Sequence, residues 1–291
     1  MDDIEMLKEI DAVTLSDRLL AWRRAVRSAP WKLYADREKY TVSSWRETEG
    51  EDIQLRRAAL VKNVLDNIDI AIHDYDVIAG RPTPGVIGAC TSIDVCGDYI
   101  PDLWDNEEKI NLTMNADAGI DPESLGILRE SARLFKGKTA PEMTAKAWEA
   151  YYGSWAKDAT DAKLKDPTID IGIFGQVTSV LMWDKILTKG LRSFIDEAQE
   201  HIGAFHARRD PDTAKLHFWQ SAVIVLEAVV SHTRRYAALA RDMARNEKDP
   251  ARRTELLAMA EACAHVPEHP ARSFHEALQA MAIVNVCKLL E

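Results

Sequence analysis

The sequence predicts a mainly α protein with a few short strands. The strongest observation is an apolar series at three- and four-residue steps between His217 and Asn246, which describes one face of a long amphipathic helix. Its members are Trp219, Ala222, Val223, Leu226, Val229, Val230, Thr233, Ala237, Ala240 and Met243. Helical patterns also recur between prolines and glycines elsewhere, whereas the alternation typical of strands is confined to short stretches.

The first third of the chain predicts three helices. One covers residues 7–22, with Thr14 or Ser16 as a possible N-cap, and is broken at Pro30. A second helix covers residues 34–49 and ends at Gly50, because glycine accepts the left-handed conformation of a helix stop. The third helix is predicted over 53–67 from its apolar period.

Two short strands are predicted next, over 68–72 and 86–95, with a proline- and glycine-rich turn at 80–85 between them. Residues 90–104 show no period, which indicates an irregular but ordered connection of the kind that often lines sites. Helical patterns resume over 125–135, 143–155 and 185–205.

After the long helix, Asp249 and Pro250 predict the N-cap and first residue of another helix. That helix must stop before Val266-Pro267, because proline lacks an N–H group and disfavours the α conformation in the residue before it. Ser273 and Glu276 are spaced as a capping box that opens a last helix.

Composition narrows the class of protein. The chain has 291 residues, 46% of them hydrophobic and 29% charged, which is typical of a soluble globular protein with a substantial core. Its net charge of −10 argues against nucleic acid or an anionic membrane as the main partner. The sequence also offers neither a membrane-spanning run nor a signal peptide, so we expect a cytoplasmic protein. Four cysteines without zinc spacing are expected to be reduced thiols.

Few residues carry recognisable chemistry on their own. His265 and His269 are four residues apart, but two prolines at or near them prevent the pair from sharing a helix face as metal ligands would. His275-Glu276 lacks the second histidine of a zinc protease. The sequence contains no phosphate-binding glycine loop and no nucleophile elbow, so we predict no metal site and no catalytic residue within it.

Four blocks, in order, resemble the pyruvate formate-lyase domain of glycyl radical enzymes. They are RRYAALA at 234–240, RRTEL at 252–256, CAHVP at 263–267 and PARSFHEALQ at 270–279. The stretch 56–80 resembles the family as well, in which an early helix leads into a short strand that ends near a glycine. The likeness therefore covers most of the chain.

The resemblance implies that residues 1–291 are the N-terminal portion of an α/β barrel, apparently truncated at the C-terminus, because the last helical pattern reaches Glu291 without a stop signal. Enzymes of this family form a protein-derived glycyl radical near their C-terminus and pass it to a cysteine. Both positions are expected downstream of this chain, and neither Cys263 nor Cys287 lies in the context that the radical cysteine requires. A separate S-adenosylmethionine-dependent iron–sulfur activating enzyme, anaerobic chemistry and a homodimer are also implied.

The expected contribution of this portion is part of the wall of a small-molecule substrate pocket. Related eliminases of diols or choline often carry a histidine upstream of the position of Gly190-Leu191, where an ungapped alignment places Ser179. Met182 and Trp183 follow and suit an apolar or aromatic substrate, although both could equally be packing residues. Further wall candidates are Asp94, Asp98, Tyr99 and Trp104.

The resemblance implies a glycyl radical lyase, and Met182 and Trp183 favour one that decarboxylates an arylacetate-type acid. A glycyl radical dehydratase, another lyase that eliminates a carbon–heteroatom group, and a formate C-acyltransferase remain open. A different class is also open, namely a split or degenerate helical protein that binds a partner or acts as a scaffold. Such a protein would have to cover the apolar face of Ala277, Met281, Val284 and Leu289.

Overall fold

The computed structural model of the chain describes residues 16–96, 120–155, 158, 181–208 and 211–290. Within these residues the fold is mainly helical, with one two-stranded sheet. The elements are α1 Asp17–Ser28, β1 Lys32–Tyr34, α2 Asp36–Glu47, α3 Ile53–Asn67, β2 Gly88–Cys90, α4 Ile93–Cys96, α5 Pro122–Phe135, α6 Ala140–Tyr152, α7 Trp183–Arg208, α8 Thr213–Asn246, α9 Pro250–His265 and α10 Phe274–Leu290. The predicted mainly α class is confirmed, and the barrel stays a prediction.

Several helix ends lie where the sequence places them. Ser16 caps α1, because its hydroxyl accepts from the Leu19 N–H in the first turn at 3.4 Å. Helix α3 has the predicted bounds, and α9 begins at Pro250 with the Asp249 carboxylate accepting from the first-turn N–H groups. Helices α5 and α6 begin three residues earlier than predicted, because Asp121 and Thr139 cap them.

The capping box predicted for α10 is only half present. The Ser273 hydroxyl accepts from the Glu276 N–H at 3.2 Å, as predicted. The Glu276 carboxylate accepts instead from the N–H of Arg272 at 2.7 Å and from the guanidinium of the same residue. The capping box predicts that Glu276 accepts from the Ser273 N–H. Glu276 instead binds Arg272, where the ion pair with the guanidinium adds to the backbone hydrogen bond.

The strand predictions need correction. Residues 68–72 form no strand, and only Gly88–Cys90 of the second predicted strand is extended before the chain turns into α4. The strand β1, which no sequence pattern predicts, pairs with β2 in parallel, with Leu33 opposite Ala89. A three-residue strand offers too few residues for alternation to be recognisable, so its partner decides its conformation.

Residues 68–87 connect α3 to β2 and have their backbone held by distant side chains. Arg235 donates to the carbonyls of Leu65 and Ile68 at 2.7 and 2.6 Å. Arg252 donates to the carbonyls of His73 and Asp76 at 2.9 and 2.6 Å. Of these carbonyls only that of Ile68 lies within 68–72, and it is paired with Arg235 rather than with a neighbouring strand.

The same connection is fixed further along by the buried Gln279. Its side-chain oxygen accepts from the Ala79 N–H, and its side-chain nitrogen donates to the Ala79 carbonyl, both at 2.8 Å. The hydroxyl of Tyr236 accepts from the N–H of Arg81 at 3.1 Å. Side chains of α8, α9 and α10 thus replace the hydrogen bonds that a sheet would have supplied.

Helix α8 is the centre of the main core and packs against α3, α7 and α9. Small residues on its buried face, Ala237, Ala240 and Ala244, allow neighbouring helices to approach closely. A second, smaller core lies between β1, α4 and α5, where Leu33, Ile93 and Leu128 are buried. The sheet therefore joins the two cores.

Helix α7 is interrupted at Gly190, although the sequence predicts one continuous helix over 185–205. Gly190 has φ 73° and ψ 163°, a conformation that is essentially restricted to glycine. The interruption divides α7 into a short segment, residues 183–189, and a longer one that follows Gly190. The direction of the short segment is therefore set separately from that of the rest of α7.

His232 provides a prediction about pH dependence. Its Nδ1 lies 2.8 Å from the Leu65 carbonyl, to which it donates, and the ring is buried beside Tyr236. Burial lowers the pKa of His232 to about 4. The unfolded chain therefore binds a proton between pH 6.5 and 4 that the folded chain does not, so stability falls as pH is lowered through this range, by about 3 kcal/mol in total.

We expect His232→Gln to remove about one proton from the uptake on unfolding in this pH range, since glutamine stays neutral and can donate to Leu65. Urea unfolding at several pH values measures the slope. An unchanged slope in the variant would contradict the assignment to His232.

Candidate functional site

Two of the predicted wall residues, Met182 and Trp183, lie at the start of α7. The Met182 carbonyl accepts from the N–H groups of Lys185 and Ile186 at 3.0 and 2.9 Å, which begins the helix. The Met182 side chain is 51% exposed, whereas Trp183 packs partly against the main core beside the buried Ile186. The other predicted wall residues, Ser179, Trp104, Asp98 and Tyr99, lie outside the described residues.

Asp94 lies in a buried network of charges. Its Oδ1 accepts from the Arg37 guanidinium at 2.7 Å, and its Oδ2 accepts from Arg57 at 2.5 Å. Burial alone would raise the pKa of Asp94, but the two guanidinium groups outweigh burial and hold the pKa below its usual value. Asp94 is therefore an ionised structural partner of two arginines, and its role in a pocket wall stays a prediction.

Glu38 is the second carboxylate of this network and is completely buried. Its Oε1 accepts from Arg37 at 3.1 Å, from the Thr91 hydroxyl at 3.1 Å and from the Ile93 N–H at 3.0 Å. Its Oε2 accepts from the Ser131 hydroxyl. Burial raises the pKa of Glu38, although the positive charge of Arg37 opposes the shift.

Arg37 connects this network to the end of α10. Its Nε donates to the Leu290 carbonyl at 2.9 Å, and its side chain is completely buried. Burial disfavours its charge, but Asp94 and Glu38 outweigh burial and raise the pKa of Arg37. The network therefore joins α2, α3, α4, α5 and α10 through charge-assisted hydrogen bonds.

Within the described residues, no hydrogen bond or ion pair joins Asp94 to Met182 or Trp183. Arg37 and Glu38, which carry the buried network, are not predicted from the sequence. No periodic signal could have found them, because Asp36-Arg37-Glu38 looks like the ordinary charged first turn of a helix.

The cysteines of α9 and α10 are structural. Cys263 and Cys287 are buried in the main core, and burial raises the pKa of each thiol to about 12. The geometry of these helices leaves neither thiol open to a substrate. In the described part of the chain no group of three or more His, Cys, Asp or Glu side chains could hold a metal ion, and no helix is long and apolar enough to cross a membrane.

Comparison with known sequences places these elements in context. A family model described as pyruvate formate lyase-like matches residues 8–291. An isethionate sulfite-lyase from Nitratidesulfovibrio vulgaris is 32% identical over 269 residues, covering 89% of this chain and 32% of that protein. An indoleacetate decarboxylase from Tractidigestivibacter scatoligenes is 24% identical over 297 residues, covering 94% of this chain and 34% of that protein. The chain spans about a third of the length of these relatives.

Solved structures share the fold. A structure that concerns 1,2-propanediol dehydration in Roseburia inulinivorans matches with a TM-score of 0.79 at 26% identity, over 96% of this chain and 32% of that chain. A glycyl radical enzyme from Archaeoglobus fulgidus matches with a TM-score of 0.78 at 28% identity, over 94% of this chain and 34% of that chain. The similarity extends over nearly the whole chain.

Proposed function

Because the chain belongs to the pyruvate formate lyase-like family of glycyl radical enzymes, we propose that it is the N-terminal part of a lyase that works through a protein-derived glycyl radical. The observation that carries the proposal is the family match over residues 8–291, together with 32% identity to an isethionate sulfite-lyase. The complete enzyme would contain the radical glycine and the radical cysteine in residues beyond this chain.

The reaction that we favour is cleavage of a carbon–sulfur or carbon–oxygen bond in a small organic molecule. Support comes from the isethionate sulfite-lyase at 32% identity and from the structure that concerns 1,2-propanediol dehydration at 26% identity. The arylacetate decarboxylation favoured from the sequence has weaker support, because the indoleacetate decarboxylase is 24% identical. It remains the second candidate, since Trp183 and the exposed Met182 could contact an aromatic ring.

The radical would supply abstraction of a hydrogen atom from the substrate. Residues of this chain would have other tasks. Met182 and Trp183 would contribute part of the pocket wall and help to exclude water. The ion network of Arg37, Glu38 and Asp94 would hold the surrounding helices in place. The two cysteines of α9 and α10 do not fit the position of a radical cysteine, because both lie inside packed helices.

We expect the complete enzyme to need a separate activating enzyme that carries an iron–sulfur cluster and S-adenosylmethionine. The expected setting is an anaerobic cytoplasm, because a glycyl radical must be shielded from oxygen, and the expected assembly is a homodimer. The activating enzyme and the homodimer are expected from the family, and the activation experiment tests the need for the activating enzyme together with the activity.

The experiment is anaerobic activation of the native polypeptide, purified from its source, by its activating enzyme and S-adenosylmethionine. We expect a glycyl-radical doublet in the electron paramagnetic resonance spectrum, then release of sulfite from isethionate or of an aldehyde from a diol. Carbon dioxide from indoleacetate would instead favour the second candidate, and formate with acetyl-coenzyme A from pyruvate and coenzyme A would favour acyl transfer. A native product of this length that forms no radical would contradict the proposal and favour a scaffold role.

A further inference from the structure

The interruption of α7 is filled by the turn at residues 266–271, which we call the docking turn. In an uninterrupted helix the Leu191 N–H would donate to the Leu187 carbonyl. Here the Leu191 N–H donates to the Pro267 carbonyl at 2.8 Å, and the Leu187 carbonyl accepts from the Ala271 N–H at 2.9 Å. The docking turn thus takes both partners of a broken helical hydrogen bond.

The N–H group of the next residue, Arg192, is also paired with the docking turn instead of with its own helix. The Arg192 N–H donates to the Glu268 carbonyl at 2.9 Å. The backbones are in direct contact, since a Cβ atom built on Gly190 would lie 2.4 Å from the Glu268 carbonyl oxygen and 2.6 Å from the His269 Cα. The short segment of α7 is held to the docking turn by the bond between Leu187 and Ala271 and to the core through Ile186, whereas Leu191 and Arg192 hold the longer segment to the same turn.

The side chain of Glu268 adds two salt bridges to these backbone contacts. Its Oε1 accepts from the Arg192 guanidinium of α7 at 2.7 Å, and its Oε2 accepts from Arg234 of α8 at 2.5 Å. The carboxylate is 8% exposed. Burial alone would raise the pKa of Glu268, but Arg192 and Arg234 outweigh it and lower the pKa.

We propose that Glu268 is a positioning residue that fixes the direction of the 183–189 segment, and through it the placement of Met182 and Trp183 toward a substrate. The effect on substrate binding rests on the proposed function. The positioning role itself rests on the contacts of Glu268 with Arg192 and Arg234 and on those of the docking turn with α7. The Glu268 carboxylate ties the docking turn to α8 and to the part of α7 that follows Gly190. The same turn holds the short segment through the hydrogen bond from the Ala271 N–H to the Leu187 carbonyl, so fixing the turn fixes the angle of the segment ahead of Gly190.

The test compares Glu268→Gln with the wild-type enzyme in its complete, activated form. The change keeps the volume of the side chain but removes both ion pairs. We expect amide hydrogen exchange in the peptide that covers 183–192 to be about tenfold faster, because a charged hydrogen bond is lost. We expect KM to rise about tenfold while kcat changes by less than about twofold, because the substrate-binding wall is displaced.

The matched control is Glu261→Gln, since Glu261 is 76% exposed and pairs at 3.4 Å with Arg272, the residue that follows the docking turn. The control should behave as wild type. Arg234→Gln, which removes one of the two pairs at a more exposed position, should give intermediate exchange. Glu268→Asp, which keeps the charge, should recover part of both effects.

The proposal is overturned if Glu268→Gln and Glu261→Gln show equal exchange and equal KM, or if kcat falls while KM is unchanged. Should Glu268→Gln fail to fold, Arg234→Gln decides by the same comparison. If the wild-type enzyme turns over no substrate, the proposed function fails. The exchange measurement then decides by itself whether Glu268 fixes the segment.

Discussion

Gly190→Ala is expected to lower the free energy of unfolding by at least about 3 kcal/mol. The new Cβ atom would lie 2.4 Å from the Glu268 carbonyl oxygen, which belongs to the backbone and cannot rotate away. The residue would also keep φ near 73° and ψ near 163°, a region that costs a non-glycine residue about 1–3 kcal/mol. Strain and overpacking add, since either the turn or α7 must shift. Urea unfolding followed by circular dichroism measures the loss.

The control for this variant lies in the same helix. A Cβ atom on Gly203 would meet no atom within 4 Å, and alanine is a better helix former than glycine. Gly203→Ala should therefore raise the free energy of unfolding by up to about 1 kcal/mol. Similar losses for the two variants would show that backbone contact at the docking turn is not what requires glycine at 190.

Arg37→Met should be comparably destabilising, with an expected loss of about 3–5 kcal/mol in the free energy of unfolding. The substitution roughly keeps the side-chain volume but removes the ion pair of the buried Glu38 and leaves Asp94 paired with Arg57 alone. It also removes the donor to the Leu290 carbonyl. The loss should be measured by equilibrium unfolding at neutral pH, where Asp94 is ionised.

An exposed ion pair provides the comparison. Arg46 pairs with Glu130 at 2.6 Å, but the two side chains are 60% and 43% exposed. Arg46→Met should therefore cost less than about 1 kcal/mol. If both variants lost the same amount, burial of the Arg37 network could not be the source of its stability.

The helices are predictable where a local signal encodes them. Helix α3 has an apolar period between Asp52 and Asn67, and α9 opens with Asp249-Pro250, so their bounds follow from neighbouring residues. The interruption at Gly190 is not predictable, because a glycine in a helical pattern is usually tolerated and its cause lies in the docking turn, far along the chain.

The candidate site is less predictable than the fold. Asp94 stands out in the sequence only for its irregular surroundings. Its partners Arg37 and Arg57 lie on two other helices, and no spacing in the sequence predicts that the three side chains are in contact. Met182 and Trp183 are candidates because of a family alignment, and the structure places them at the start of a helix that is hydrogen-bonded to a turn distant in the sequence. Local patterns encode secondary structure, whereas these contacts depend on which helices pack together.

The anchored connection between α3 and β2 has a consequence for synthesis. Ala79 and Gln279 are 200 residues apart, and Asp76 and Arg252 are 176 apart. At a typical elongation rate the ribosome takes about 10–40 s to add the residues between Ala79 and its partner. During that time the backbone of Ala79 lacks the Gln279 side chain that pairs with both its N–H and its carbonyl, so these two hydrogen bonds cannot form until α10 has been made. The connection between α3 and β2 therefore reaches its native contacts well after it has been synthesised.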